Sequence, residues 1–244
     1  LEGLLLKAQG QHRAAIACFS RSIASAERKK DDKLRGHDLC NMGLAYVELN
    51  ELDTAIDIFR CSVEASQLAH NPHGQSNALS ALGGAYRKKR DLEQAIDALR
   101  WSLKLRREIS YEDGIRPLLG ELGDVLIRRG RKDDLEEALT LFREQIHRLR
   151  GRTSQLAKGS HVAALGGIST CNILLRRFAE AVPVCKEGIA IAESLDRPPA
   201  PLLTILKANL GTAYIELGRL GTGDRVANFL LAVEYYTEAL SAAE

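Results

Sequence analysis

The chain has no long hydrophobic run: across its 244 residues no stretch approaches the roughly 18 apolar residues that span a bilayer. Insertion into a membrane is therefore not expected. The start, Leu1-Glu2-Gly3, lacks the basic region and cleavage site of a secretory leader, so a cytoplasmic location is expected, with association with the cytoskeleton as a narrower expectation. Charge of one sign is also missing. Lys and Arg number 34 against 32 Asp and Glu, a net charge of +2, which lacks the basic excess of a dedicated nucleic-acid binder. The five cysteines, Cys18, Cys40, Cys61, Cys171 and Cys185, are odd in number and contain no C-x-x-C pair. Neither a disulfide framework nor a zinc site is expected from them.

Patterns that would order catalytic groups are missing too. No nucleophile elbow or H-E-x-x-H segment occurs, so no catalytic residue is assigned. His70 and His73 form a close pair but flank Asn71-Pro72 without further ligands nearby, and metal binding is not expected. Leu82-Gly83-Gly84-Ala85 and Leu165-Gly166-Gly167-Ile168 lie within helical patterns and read as packing glycines, while Gly221-Thr222-Gly223-Asp224 lacks the Lys-Ser/Thr of a phosphate loop. No cofactor is expected.

What is present is a repeat. Gly3, Gly43, Gly83 and Gly123 stand 40 residues apart, each followed three residues later by a large side chain: Leu6, Tyr46, Tyr86 and Leu126. Leu210-Gly211 with Tyr214 repeats this core. A second signal follows each core, a small residue with a larger one four later: Ala15 and Phe19, Ala55 and Phe59, Ala95 and Leu99, Ala138 and Phe142, Ala181 and Cys185, Ala232 and Tyr236. The fifth pair exposes a degenerate core, Ile168-Ser169 with Asn172. Apolar residues recur at three and four spacing, as along the Ala15, Cys18, Phe19, Ser22, Ile23, Ala26 stripe, and strand-like alternation is missing. Turn signals fall at Gln9-Gly10-Gln11, Leu49-Asn50-Glu51, Arg129-Gly130-Arg131 and Leu217-Gly218-Arg219, with Asn71 to Gly74 and Arg197-Pro198-Pro199 between repeats. Each repeat reads as a helical hairpin that must stack on its neighbours to bury both helices.

Leu-Gly-x-x-Tyr, a Gly or Asn turn and Ala-x-x-x-Phe closely resemble the tetratricopeptide repeat. The resemblance implies an all-α, right-handed solenoid of about six repeats, approximately 1–30, 36–71, 75–111, 115–152, 160–196 and 202–244, cut at both ends. The 40-residue period and long second helices are similar to those of the Pins/Leu-Gly-Asn adaptors and rapsyn. Gly-to-Ala spacing, 12 in the regular repeats, grows to 15 from Gly123 to Ala138 and 21 from Gly211 to Ala232. The extra residues, around Lys132-Asp133-Asp134 and Leu220 to Asn228, are expected to project from one edge as loops.

The resemblance also implies a concave groove lined by the first helices. The positions three before the glycine are all small: Cys40, Ser80, Gly120, Gly166 and Ala208. Candidate groove residues are Leu44, Asp124, Thr170 and Thr212 one after it, Val47, Arg87, Ile127, Ile173 and Ile215 four after it, and Asn41 and Asn209 just before the core pair. The Lys and Asn with which chaperone-tail binders hold a carboxylate are not at these positions. A second candidate surface is a basic edge, Lys88, Lys89, Arg128, Arg129, Arg176 and Arg177, flanked by Glu48 and Glu216 in the neighbouring repeats. Trp101 is left unassigned. Together these point to a non-catalytic adaptor that holds a protein or peptide segment, acidic with some apolar residues, in its groove; the alternative is a peptide-sensing repeat domain that controls an effector. The residues say nothing of oligomeric state.

Overall fold

The computed structural model describes residues 2–241, which form twelve α-helices and no strand. The chain divides into two compact units, Leu1–Leu118 and Leu119–Glu244. The first contains α1 (Glu2–Ala8), α2 (His12–Lys29), α3 (Asp32–Glu48), α4 (Leu52–Leu68), α5 (Pro72–Lys88), α6 (Leu92–Glu108) and the start of α7 (Glu112–Arg129). The second contains the rest of α7, then α8 (Lys132–Leu149), α9 (Gln155–Leu174), α10 (Phe178–Glu193), α11 (Ala200–Arg219) and α12 (Arg225–Ser241). Within each unit consecutive helices pack as antiparallel hairpins, and the first helices of neighbouring hairpins touch, α3 with α5 and α9 with α11. This is the all-α stack of hairpins expected from the repeat. No helix among the described residues is long and apolar enough to cross a membrane.

The two sequence signals meet physically. A Cβ placed on Gly43 would stand 2.6 Å from the Phe59 ring, one on Gly83 2.7 Å from Leu99, and one on Gly123 2.5 Å from Phe142. Each glycine thus admits the large side chain of the second helix in its own hairpin, and Phe59, Leu99 and Phe142 are all but fully buried. Carbon atoms normally sit 3.5–4.0 Å apart, so no other residue fits these glycine positions without displacement. The degenerate fifth hairpin solves the same problem in reverse: Ser169 fills the glycine position and the smaller Cys185 replaces the ring, both fully buried.

The turns share one geometry. Gly10, Asn50, Arg90 and Arg176 adopt left-handed backbone with φ of 60 to 75°, and the next amide reaches back five residues, as in Glu51 N to Tyr46 O at 3.0 Å and Arg177 N to Asn172 O at 2.7 Å. That bond satisfies carbonyls the helix end leaves open. The following helix often starts on a side-chain cap: Asp31, Asn71, Asp91 and Ser154 accept from amides three residues on.

Three expectations are corrected. Leu217-Gly218-Arg219 lies inside α11; the left-handed residues that turn the chain there are Gly221 and Gly223. Pro72 to Gly74 form the first turn of α5 rather than a linker, since proline suits the opening turn of a helix. The two insertions mostly lengthen helices instead of forming edge loops. Lys132-Asp133-Asp134 is the first turn of α8, and the second insertion extends α11 to Arg219 and starts α12 at Arg225, leaving only Leu220 to Asp224 between them. Adding turns keeps backbone groups paired, which a longer loop would not.

Candidate partner-binding surface

The expected groove residues fall on the paired first helices. In the first unit Leu44 is 36% exposed and Val47 and Arg87 are half-buried. In the second, Asp124 is exposed, and Ile127, Thr170, Ile173, Asn209, Thr212 and Ile215 are half-buried. The polar members are largely engaged within the fold. Lys7 Nζ donates to Asn41 Oδ1 at 2.7 Å and Asn41 Nδ2 to the His37 carbonyl at 3.0 Å, tying α1 to α3. Asn209 Nδ2 donates to Ser169 Oγ at 2.9 Å and Thr170 Oγ1 at 3.0 Å, tying α9 to α11. Thr170 Oγ1 donates to Gly166 O, and Thr212 Oγ1 to Ala208 O. The two asparagines therefore hold neighbouring first helices together, and the face left open to a partner is more apolar than expected.

On α9 one face is lined by small residues, of which Ala163 is exposed and Gly166 buried. Gly159, Ala163, Gly166, Thr170 and Ile173 recur at four and three spacing, so they share one side of the helix. A Cβ on Gly159 or Gly166 would meet nothing within 4 Å, whereas one on Gly167 would stand 2.4 Å from Phe142. Of the adjacent glycines read together as packing residues, only Gly167 is forced by packing. At the N-terminal end of α9 this face opens into a cavity of about 610 Å³ lined mainly by Leu156, Gly159, Ala163, Leu195, Pro199 and Leu202, with Arg197 also in its wall. Leu156 is 84% exposed. Leu156 was not singled out in the sequence and Arg197 was read only as part of a turn; the signal was the long link from Ser194 to Pro199, where the inter-hairpin links of the first unit are two or three residues.

The basic edge splits into two halves. Lys89 pairs with Asp53 of α4, Arg177 makes a two-point contact with Glu136 of α8, and Arg129 donates from Nε and Nη2 to Asp134 at 2.7 and 2.5 Å. Arg129 holds the Asp134 carboxyl below the usual carboxylate range, and Arg177 does the same for Glu136. Lys88, Arg128 and Arg176 are exposed and make no ion pair among the described residues. Half of the expected strip is thus neutralised by the fold.

No group of three or more His, Cys, Asp or Glu that could hold a metal occurs among the described residues. His73 instead lies against Tyr111, ring centroids 4.5 Å apart. Trp101 is 46% exposed on α6. A residue the sequence reading passed over, Arg106, is 7% exposed and donates to Gly114 O at 2.5 Å and Asn77 Oδ1 at 3.3 Å, fixing α5 and the start of α7 to α6.

Residues 39–108, from the middle of α3 to the end of α6, match the family model for the tetratricopeptide repeat. The match spans the second and third hairpins, α3 to α6. Solved structures of similar repeat proteins agree on the fold. BtubC (BKLC) from P. vanneervenii is 16% identical, with a TM-score of 0.71 over 95% of this chain and 91% of that one. A putative kinesin light chain of Podosopora anserina with nearly identical TPR-like repeats is 14% identical, with a TM-score of 0.63 over 78% of this chain and 90% of that one. The apo quorum sensor NprR from B. thuringiensis is 16% identical, with a TM-score of 0.58 over 100% of this chain and 74% of that one. No curated protein matches the chain. At these identities the three structures speak for the fold alone.

Proposed function

We propose that the chain is a non-catalytic tetratricopeptide scaffold of six hairpins that holds a protein or peptide segment against the open faces of its first helices. The observation that carries this reading is the small and apolar face of α9, with space at Gly159 and Gly166 and a cavity of about 610 Å³ at its end. Helix faces inside a stack are normally filled, and an apolar hollow rimmed by polar groups is where ligands bury side chains. The partner segment is apolar with acidic residues: within the second unit Ile127, Ile173 and Ile215 supply apolar contact, and the exposed Arg128 and Arg176 supply the positive charge. The long repeat period supports adaptors of the Pins/Leu-Gly-Asn and rapsyn type as functional analogues, and a cytoplasmic location goes with that reading.

Affinity capture with crosslink mapping tests the proposal. A crosslinked segment should map to α9 and α11, and Gly166→Arg should abolish capture while leaving the circular dichroism spectrum helical, because a Cβ there meets nothing within 4 Å. An unchanged affinity for folded Gly166→Arg would remove the α9 face from the binding site.

A further inference from the structure

In the second and third hairpins the residue seven after the repeat alanine is a serine that bonds the first helix of its own hairpin: Ser62 Oγ donates to Gly36 O and Ser102 Oγ to Ser76 O, both at 2.7 Å. Seven residues after Ala138 the same register holds Gln145. This longer side chain is 7% exposed, and its buried Oε1 has no hydrogen-bond partner among the described residues. A buried carboxamide oxygen without a donor is costly. The two serines are satisfied within the fold, and the glutamine is left with an open group.

The head of Gln145 lies against Gly120 of α7, both in the second unit. A Cβ on Gly120 would stand 3.3 Å from both Nε2 and Oε1, so even a methyl group there would crowd the carboxamide. Gly120 is one of the small residues expected along the groove and is half-buried, and it has no side chain with which to cover the amide. Farther along α7, Asp124 and Arg128 follow at successive spacings of four; both are exposed, and Arg128 makes no ion pair among the described residues. Eight residues of helix advance about 12 Å, the length of three to four residues of extended chain. Asp124, between the two, disfavours an acidic side chain at any nearer position.

We propose that Gln145 binds the main chain of an extended partner segment at Gly120. The N–H of one partner residue donates to Oε1 and the C=O of the same residue accepts from Nε2, a two-point contact open to extended chain because both groups of a residue point the same way there. A helical segment uses those groups internally and cannot make it. An acidic side chain three or four residues away meets Arg128. The inference rests on the reading of the first-helix faces as a peptide site, and it adds the conformation of the segment and the residue that selects it.

The probe is the labelled peptide Glu-Glu-Val-Val-Gly-Val-Val-Glu-Glu, whose valines favour extended chain and whose acids stand three and four residues to either side of the glycine. Its control carries glycolic acid in place of the glycine, which exchanges one N–H for an ester oxygen and keeps the shape of the chain. Fluorescence anisotropy with the 244-residue chain should show the control binding about three- to tenfold more weakly. Gln145→Met, unbranched and of similar length, should bring the two affinities together, whereas Arg128→Glu should weaken both peptides and keep their ratio. Gly120→Ala sets a methyl group against the carboxamide and should also shrink the ratio, which keeps the test valid should Gln145→Met fail to fold. Gly166→Arg separates the two readings: equal affinities in the wild type, with both peptides lost in folded Gly166→Arg, would overturn the role of Gln145 and leave the peptide groove standing. No measurable binding of the glycine peptide, equal affinities in the wild type, or an unchanged ratio in folded Gln145→Met overturns the proposal.

Discussion

Gly166 and Gly167 are consecutive residues of α9, yet their surroundings predict opposite responses to a single methyl group. A Cβ on Gly166 meets nothing within 4 Å, while one on Gly167 lies 2.4, 2.5 and 2.8 Å from three atoms of the Phe142 ring. Replacing glycine by alanine inside a helix gains about 1 kcal/mol of intrinsic propensity, and this gain is common to both sites. Gly166→Ala should therefore stabilise the protein by up to about 1 kcal/mol. At Gly167 the ring would have to retreat by about 1 Å to reach normal contact. It cannot move freely, because Phe142 is 2% exposed and its other side meets Gly123, where a Cβ would stand 2.5 Å away. Overpacking of this kind costs about 1–3 kcal/mol, so the two variants should differ by that amount with propensity cancelled. Repeat stacks do not unfold as one unit, so urea titration should be paired with native-state hydrogen exchange of α8 and α9. A difference below about 0.5 kcal/mol, the scatter expected between independent sites, would refute the account of why the repeat glycines recur. Phe142→Leu should cost less in the Gly167→Ala background than in the wild type.

Other outcomes follow from the ion pairs, the thiols and the free cations. Asp134 has its carboxyl lowered by Arg129, so its contribution is present above the unfolded carboxylate range near pH 4 and is lost as pH falls through the lower folded value. Asp134→Ala should cost about 3 kcal/mol, since it leaves a mostly buried guanidinium without this partner, and should flatten the acid limb of a stability profile. Burial pushes Cys171 up to about 12 and Cys185 up to about 11, whereas Cys61 is exposed. A disulfide-forming reagent near pH 8 should therefore label Cys61 rapidly and these two only on unfolding, and rapid labelling of Cys171 would show that α9 opens locally. Tyr86 is 5% exposed and its hydroxyl accepts from Arg60 Nη2 at 2.7 Å. Tyr86→Ala should cost about 3 to 5 kcal/mol by denaturant titration. With a captured partner, Arg128→Glu combined with Arg176→Glu should weaken binding in a salt-dependent way and leave helicity intact; unchanged affinity at low ionic strength would remove these cations from the site.

The hairpins, their turns and their core pairs were readable in one dimension because each depends on residues close in sequence. A glycine meets the ring 16 residues later in the regular repeats, as Gly43 meets Phe59, and a left-handed Asn50 or Gly10 ends one helix before the next begins. Helical periodicity and turn chemistry act over such distances. What lay beyond the sequence depends on which helix lies beside which. Asn41 and Asn209 read as ligands for a partner, and only the approach of α1 to α3 and of α9 to α11 makes them ties within the fold. Six basic residues read as one strip, but Asp53, Asp134 and Glu136 claim three of them, and nothing in the local pattern marks those acids as partners. The register of Ser62 and Ser102 was present in the 40-residue period, yet their bonds to Gly36 O and Ser76 O depend on how the two helices of each hairpin pack. Local spacing determined the elements and their cores. The tertiary structure decided which polar and small residues those elements use up and which they leave open, because hydrogen bonds and ion pairs form only across a few ångströms that the stacking of helices creates.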